Sequence, residues 1–221
     1  MSLVVVKCGG RVAGASAHEI ARLAARHDVV AVHGAGPQIS AAMKALGLDV
    51  RFVGGRRVTG VDALAVVRRE LALVNRMLCA AIGPRAIGLM GDEIGLRAER
   101  VGQLGLVGEP LPSAPAAVLA TLAAGAIPVV APLAEGPLNV NADDAAVALA
   151  VGLGAERLLF LSDVPGVLRP GGVASAIGAD EADRLLASGT FEGGMVPKLN
   201  AAVRAARLGV AASIGETAVV V

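Results

Sequence analysis

Apolar runs rich in Val, Ile and Leu recur along the chain, at residues 3–6, 29–32, 86–90, 127–131, 158–161 and 210–214. Runs of this kind, without apolar–polar alternation, predict strands covered on both faces. Most are followed by glycine or an Asp-containing turn and then by a helical pattern. That alternation predicts an α/β sandwich built on a mostly parallel sheet. Residues 50–59, centred on Gly54-Gly55, read as a hairpin, and 95–107 as a second. The longest helix is expected over 61–81, where Leu64, Val67, Leu71, Val74 and Leu78 recur at steps of three and four and form a sheet-facing stripe. Leu73 and Met77 lie beside that stripe and make the helix a candidate self-association face.

With 221 residues the chain can fill one large domain or two small lobes without a metal or disulfide staple. Its cysteines, Cys8 and Cys79, stand in unrelated contexts and form no metal-spaced cluster, so a cytoplasmic location is expected. A net charge of +1, no Trp or Tyr and only three Phe exclude a broad basic field or an aromatic platform for nucleic acid. The start, Met1-Ser2-Leu3, runs straight into apolar residues ending at Lys7, without the basic flank and cleavage site of a signal peptide. Between Glu109 and Glu135 no charge occurs, over a length that could span a bilayer. Prolines 110, 112, 115, 128 and 132 cut it, and it reads as a helix over 116–125, a glycine stop and a buried strand, with no membrane role.

Three distant segments set cationic or polar groups beside glycine at a strand end or helix start: Lys7-Cys8-Gly9-Gly10, His33-Gly34-Ala35-Gly36-Pro37 and Gly193-Gly194-Met195-Val196-Pro197-Lys198. Lysines and bare amides gathered at one point suit a phosphate chain. Taken singly, each also fits an ordinary turn with a solvated lysine. Asn139-Val140-Asn141-Ala142-Asp143-Asp144 precedes a helical run at 145–153; an N-cap accounts for at least one of its polar residues, and Asp143 is placed to reach a lysine at the strand ends. The segment 161–168, Leu-Ser-Asp-Val-Pro-Gly-Val-Leu, is a turn that could also line a nucleotide. His18, His27 and His33 have no nucleophile partner and read as structural, and Cys8 is expected to point into the sheet.

The order Lys7-x-Gly9-Gly10, His33-Gly-Ala-Gly36, Arg57-Val58-Thr59, Asn139-Val-Asn141-Ala-Asp143, Ser162-Asp163-Val164-x-Gly166 and Gly194-Met195-x-x-Lys198 resembles the amino acid kinase family nearly end to end. Within that family it is most similar to the acetylglutamate kinases of arginine biosynthesis. The resemblance implies a three-layer α/β/α sandwich around a mostly parallel sheet, with residues 1–133 as an N-terminal lobe for the acyl amino acid and dimerisation, and 134–221 as a C-terminal lobe for ATP. It implies transfer of a phosphoryl group from ATP, with Mg2+ carried by the nucleotide and no metal site on the protein, to the side-chain carboxylate of N-acetyl-L-glutamate. Lys7 and Lys198 would stabilise the moving group and Asp143 would orient them. Gly9, Gly10 and Gly34 would bind phosphate, and Ala35, Gly36, Arg57, Asn139 and Asn141 the acyl amino acid. Asp163, Val164, Pro165, Gly166, Val167, Leu168, Thr190, Phe191 and Glu192 would line the nucleotide.

The chain departs from the family pattern in three places, one of them a short stretch between Lys7 and His33. Ala35 stands where the middle of three glycines is usual; its methyl could crowd the acceptor, while its N–H donor remains. After Ile214 the helix that usually precedes the last strand is missing. The expected assembly is an arginine-insensitive homodimer paired through 61–81. A kinase for a related carboxylate, such as carrier-bound aminoadipate, and a non-catalytic nucleotide-binding protein on the same fold are the alternatives.

Overall fold

A computed structural model describes the chain apart from residues 10–12, 163, 170 and 192, so the expected site residues Gly10, Asp163 and Glu192 lie outside the described residues. The first half contains β1 (Leu3–Cys8), α1 (Ala13–Leu23), β2 (Asp28–His33), α2 (Gly36–Ala45), β3 (Phe52–Val53), β4 (Arg56–Arg57), α3 (Val61–Ile82), β5 (Ala86–Met90), β6 (Ala98–Arg100) and β7 (Val107–Pro110). There follow α4 (Ala116–Ala123), β8 (Ile127–Ala131), β9 (Leu133–Ala134), β10 (Leu138–Val140), α5 (Ala142–Gly152) and β11 (Arg157–Leu161). The chain continues with β12 (Leu168–Arg169), β13 (Gly172–Val173), β14 (Ala176–Gly178), α6 (Ala179–Ala187), α7 (Met195–Arg207), β15 (Ala211–Ile214) and β16 (Thr217–Val220).

Eight strands form the central sheet in the order β14-β16-β15-β11-β1-β2-β8-β5. Every neighbouring pair is parallel except β15 and β16. Successive side chains point to opposite faces, so each strand feeds two cores. Val5, Val30, Val130, Leu158 and Phe160 pack with Leu149 of α5 and Leu199 of α7. Val4, Val6, Val29 and Val129 pack with Ile20 of α1 and Leu78 of α3. Helices therefore cover both faces, as a three-layer sandwich requires, which explains the apolar runs except at the edge strand β5, where no residue is buried and Ile87 is exposed.

The expected elements recur with shifted boundaries. On α3, Val67, Leu71, Val74 and Leu78 are buried and Leu64 is half-buried, while Leu73 and Met77 face outward. The hairpin at 50–59 is β3–β4, and Gly54 and Gly55, with φ of +55° and +78°, supply the left-handed turn that joins such strands. The second hairpin pairs β6 with β7 and ends later than expected, because a 3-10 turn at Gly102–Leu104 takes up the intervening residues. Helix α5 starts earlier than residue 145, since Asn141 caps it. The charge-free stretch folds as α4 and β8, and among the described residues no helix is long and apolar enough to cross a membrane. Two residues, Gly215 and Glu216, join β15 directly to β16.

Candidate active site

The carboxyl ends of β1 and β2 open into a cavity of about 260 Å3, walled by β10 and the start of α5 and covered by the β3–β4 hairpin. Lys7, Gly9, Gly34, Ala35, Gly36, Arg57, Asn139, Asn141 and Asp143 all line it. Segments far apart in sequence thus converge at the edge where parallel α/β sheets bind ligands. At its base the Lys7 ammonium lies 2.8 Å from Asp143 Oδ1, with the two side chains only 10% and 9% exposed. Asp143 is held there by its helix: the Asn141 side chain accepts from the amides of Asp143 (2.8 Å) and Asp144 (3.3 Å), capping α5.

The glycine turn after β2 corrects one expectation. The Gly34 amide donates to the Cys8 carbonyl at 3.1 Å, extending the β1–β2 ladder, so it is not available to a phosphate. Helix α2 opens at Gly36, and its first intrahelical bond runs from the Ile39 amide to the Ala35 carbonyl, leaving the positive end of the helix at the cavity. A Cβ on Gly36 would meet nothing within 4 Å, so this residue faces open space. Ala35 is 2% exposed and belongs to the apolar cluster of Ile39, Met43 and Leu71, so its methyl packs into the α2–α3 core.

Arg57 is 6% exposed, yet among the described residues its partners are all uncharged. It donates to the Gly36 carbonyl (3.1 Å) and Ser40 Oγ (2.8 Å), approaches Met43 Sδ (3.4 Å), and stacks 4.6 Å from the centre of the Phe52 ring. Burial pushes its pKa down from the usual guanidinium value. The neighbouring Arg56 is handled differently: it pairs with Glu109 and Asp144, and Arg204 of α7 pairs with the same two carboxylates. Sequence patterning missed Phe52, Gly55 and Arg56 as cavity walls. The hairpin was legible, but its docking over the strand ends depends on contacts with distant elements, such as Pro197 beside Gly55.

His33, buried at 1%, receives Asn75 Nδ2 at 3.1 Å on its Nε2, and the same amide nitrogen donates to the Val129 carbonyl at 2.8 Å. Desolvation lowers its pKa to about 4, so the ring is neutral, in keeping with a structural role. Cys8 is buried, and loss of water raises its thiol to about 11.

Among the described residues, those expected around the nucleotide do not gather on one wall. Val164 and Pro165 line a separate cavity of about 310 Å3 with Ser16, Gly215 and Glu216. Val167 is buried, and its amide donates to Thr217 Oγ1 at 2.8 Å; a Cβ on Gly166 would lie 2.5 Å from the same oxygen. Those two residues fasten the turn to β16. Leu168 is exposed on β12, Thr190 shares a hydrogen with Ser188 at 2.7 Å, and Phe191 packs against the larger core. Lys198 sits in the first turn of α7, outside the lining of the Lys7 cavity.

The amino acid kinase family model matches residues 2–215. The acetylglutamate kinase of Rubrobacter xylanophilus is 44% identical over 225 residues, covering 97% of this chain and 88% of that protein. The acetylglutamate kinase of Roseiflexus sp. (strain RS-1) is 41% identical over 211 residues, 88% of this chain and 80% of that one. Among solved structures, smu.665 from Streptococcus mutans UA159 superposes with a TM-score of 0.89 at 28% identity, covering 99% of this chain and 98% of its own. Fold, cavity and sequence agree, and the chain belongs to the amino acid kinase family.

Proposed function

We propose that this protein transfers the γ-phosphoryl group of ATP to the side-chain carboxylate of N-acetyl-L-glutamate, forming an acyl phosphate for arginine biosynthesis. One observation carries the reading for this chain. A buried guanidinium whose partners among the described residues are all neutral, Arg57, shares a cavity with the Lys7–Asp143 pair and the start of α2. A buried cation without a counter-ion is costly, and a substrate carboxylate would offset that cost. Arg57 then takes the α-carboxylate, and Asn139 the acyl amide beside it. The far carboxylate is left near Lys7.

A carboxylate is ionised at neutral pH and attacks phosphorus without a general base. Its oxygen bonds to the γ-phosphorus as the bond to the bridging oxygen breaks and ADP departs. The protein's task is to align two anions and spread the charge on the phosphoryl oxygens. Lys7 does so with an ammonium held in place by Asp143, assisted by the first-turn amides of α2 and by Lys198 when the nucleotide is bound. Mg2+ would arrive on the ATP phosphates and neutralise them; among the described residues no cluster of three His, Cys, Asp or Glu side chains is placed to hold it.

The central sheet draws β1, β2, β5 and β8 from residues 1–133 and β11, β14, β15 and β16 from 134–221, which supports acyl amino acid and ATP lobes meeting at β1 and β11. The outward Leu73 and Met77 of α3 support a homodimer. A cytoplasmic location fits a biosynthetic kinase.

The test is an ATP-dependent hydroxamate assay with Mg2+ and hydroxylamine, offering N-acetyl-L-glutamate, glutamate and aminoadipate. Hydroxamate from acetylglutamate alone is expected. Measurable ATP binding without product from any acceptor would favour a carrier-bound substrate or a binding-only protein.

A further inference from the structure

Thr59 follows the cavity arginine by two residues, is 0% exposed and does not itself line the cavity. Its backbone is fixed from both sides: the amide donates to the Leu104 carbonyl (3.0 Å), and the carbonyl accepts from the Leu106 amide (2.7 Å). Gly105 makes that approach possible, since a Cβ there would stand 2.4 Å from the Thr59 oxygen. The hydroxyl has one proton, and it goes to the Arg57 carbonyl at 2.8 Å. Towards Asn139, 3.0 Å away, Thr59 Oγ1 can therefore only accept. This requires Asn139 to present its NH2 group to Thr59. The other end of the amide, the acceptor Oδ1, is left for the cavity that Asn139 lines.

We infer that Thr59 is a positioning residue for substrate specificity: its hydroxyl ties the backbone of Arg57 to the amide of Asn139 and sets Asn139 as an acceptor for the N–H of an acylated amine. The inference rests on the acetylglutamate reading above. Turning the Asn139 amide over would force the Thr59 proton away from the Arg57 carbonyl and leave a buried acceptor unpaired, which proteins rarely tolerate. A site whose acceptor is locked in this way penalises a ligand that lacks the matching donor.

The probes are N-acetyl-L-glutamate and its ester isostere, 2-acetoxyglutarate, in which oxygen replaces the N–H and nothing else changes. Binding of each is measured calorimetrically on the full chain with a non-hydrolysable ATP analogue, for wild type, Thr59→Val and Thr59→Ser. Wild type should prefer the amide at least tenfold. Thr59→Val, which keeps the shape and removes the hydroxyl, should weaken acetylglutamate about tenfold and the ester about threefold or less, while Thr59→Ser restores the wild-type ratio. Equal weakening of both ligands by Thr59→Val would mean a purely structural residue and overturn the inference, as would a wild type that does not distinguish them. Failure of wild type to bind acetylglutamate at all would instead defeat the functional reading on which the inference stands.

Discussion

Asp143 holds the Lys7 ammonium at 2.8 Å at the base of a shared cavity, although the two are 136 positions apart in sequence and each is more than nine-tenths buried. Strand β1 delivers the lysine, and the capped first turn of α5 delivers the carboxylate. A buried pair of this kind is poor evidence of stabilisation, because desolvation of both charges offsets their attraction. Its use lies in fixing where the positive charge stands.

Asp143→Asn is expected to lower kcat about a hundredfold, since the near-isosteric amide removes the charge that orients Lys7. Hydroxamate rates should fall while the far-ultraviolet circular dichroism is kept. A kcat within threefold of wild type would remove Asp143 from the machinery.

Arg57→Lys should raise KM for acetylglutamate by about tenfold or more and change kcat less. Lysine keeps the charge but loses the planar fork that reaches Gly36 and Ser40 and the stacking on Phe52. Steady-state kinetics with the acceptor varied separates the two constants.

Stability should rise with pH between about 4 and 6.5. The folded pKa of His33 lies near 4, below the ordinary 6.5, so in that window the unfolded chain binds a proton that the folded chain refuses. The stabilisation is complete above 6.5 and is lost as pH falls through 4, amounting to about 3 kcal/mol for this one group. Urea unfolding of wild type and His33→Gln across this range tests it, and the variant should show a flatter dependence.

Gly88→Ala should destabilise the fold by ~2 kcal/mol. The new methyl would lie 2.1 Å from Asn75 Oδ1, and the displaced amide would give up the His33 ring and the Val129 carbonyl. A thermal midpoint unchanged from wild type would contradict this account of why glycine stands in the middle of β5.

Met77→Glu should convert a dimer to a monomer in sedimentation velocity. Met77 is 58% exposed and Leu73, one turn away on α3, is 42% exposed, so a charge between them would be buried unpaired in any interface they form. A wild type that sediments as a monomer or a hexamer would refute the proposed pairing.

How far the sequence spoke differs between the fold and the site. Apolar runs marked β1, β2, β5, β8, β11 and β15 of the central sheet, because a strand covered by helices has few polar positions to spare, but not β14 or β16. An N-cap within 139–144, Cys8 as a core residue and the Gly54-Gly55 turn follow from local chemistry, where one residue's geometry decides the outcome; that the cap is Asn141, which was expected at the substrate, came from the structure. The order of motifs pointed to the family and to Lys7, Asp143, Arg57 and Asn139, which share one cavity.

Other features were beyond any local pattern. The Gly34 amide was expected to face a phosphate, but the ladder between β1 and β2 continues one residue further and claims it for Cys8. Whether the Ala35 methyl crowds the acceptor was open in the sequence; the methyl enters the core of α2 and α3. The role of Thr59 depends on Gly105 and Asn139, which pair with it only after β6, β7 and β10 form their own sheet. Periodicity and turn chemistry act over a few residues and so determined the elements and their class. Which polar groups are already spent, and which remain for a ligand, is decided by contacts between elements distant in the chain, and only the tertiary structure settles them.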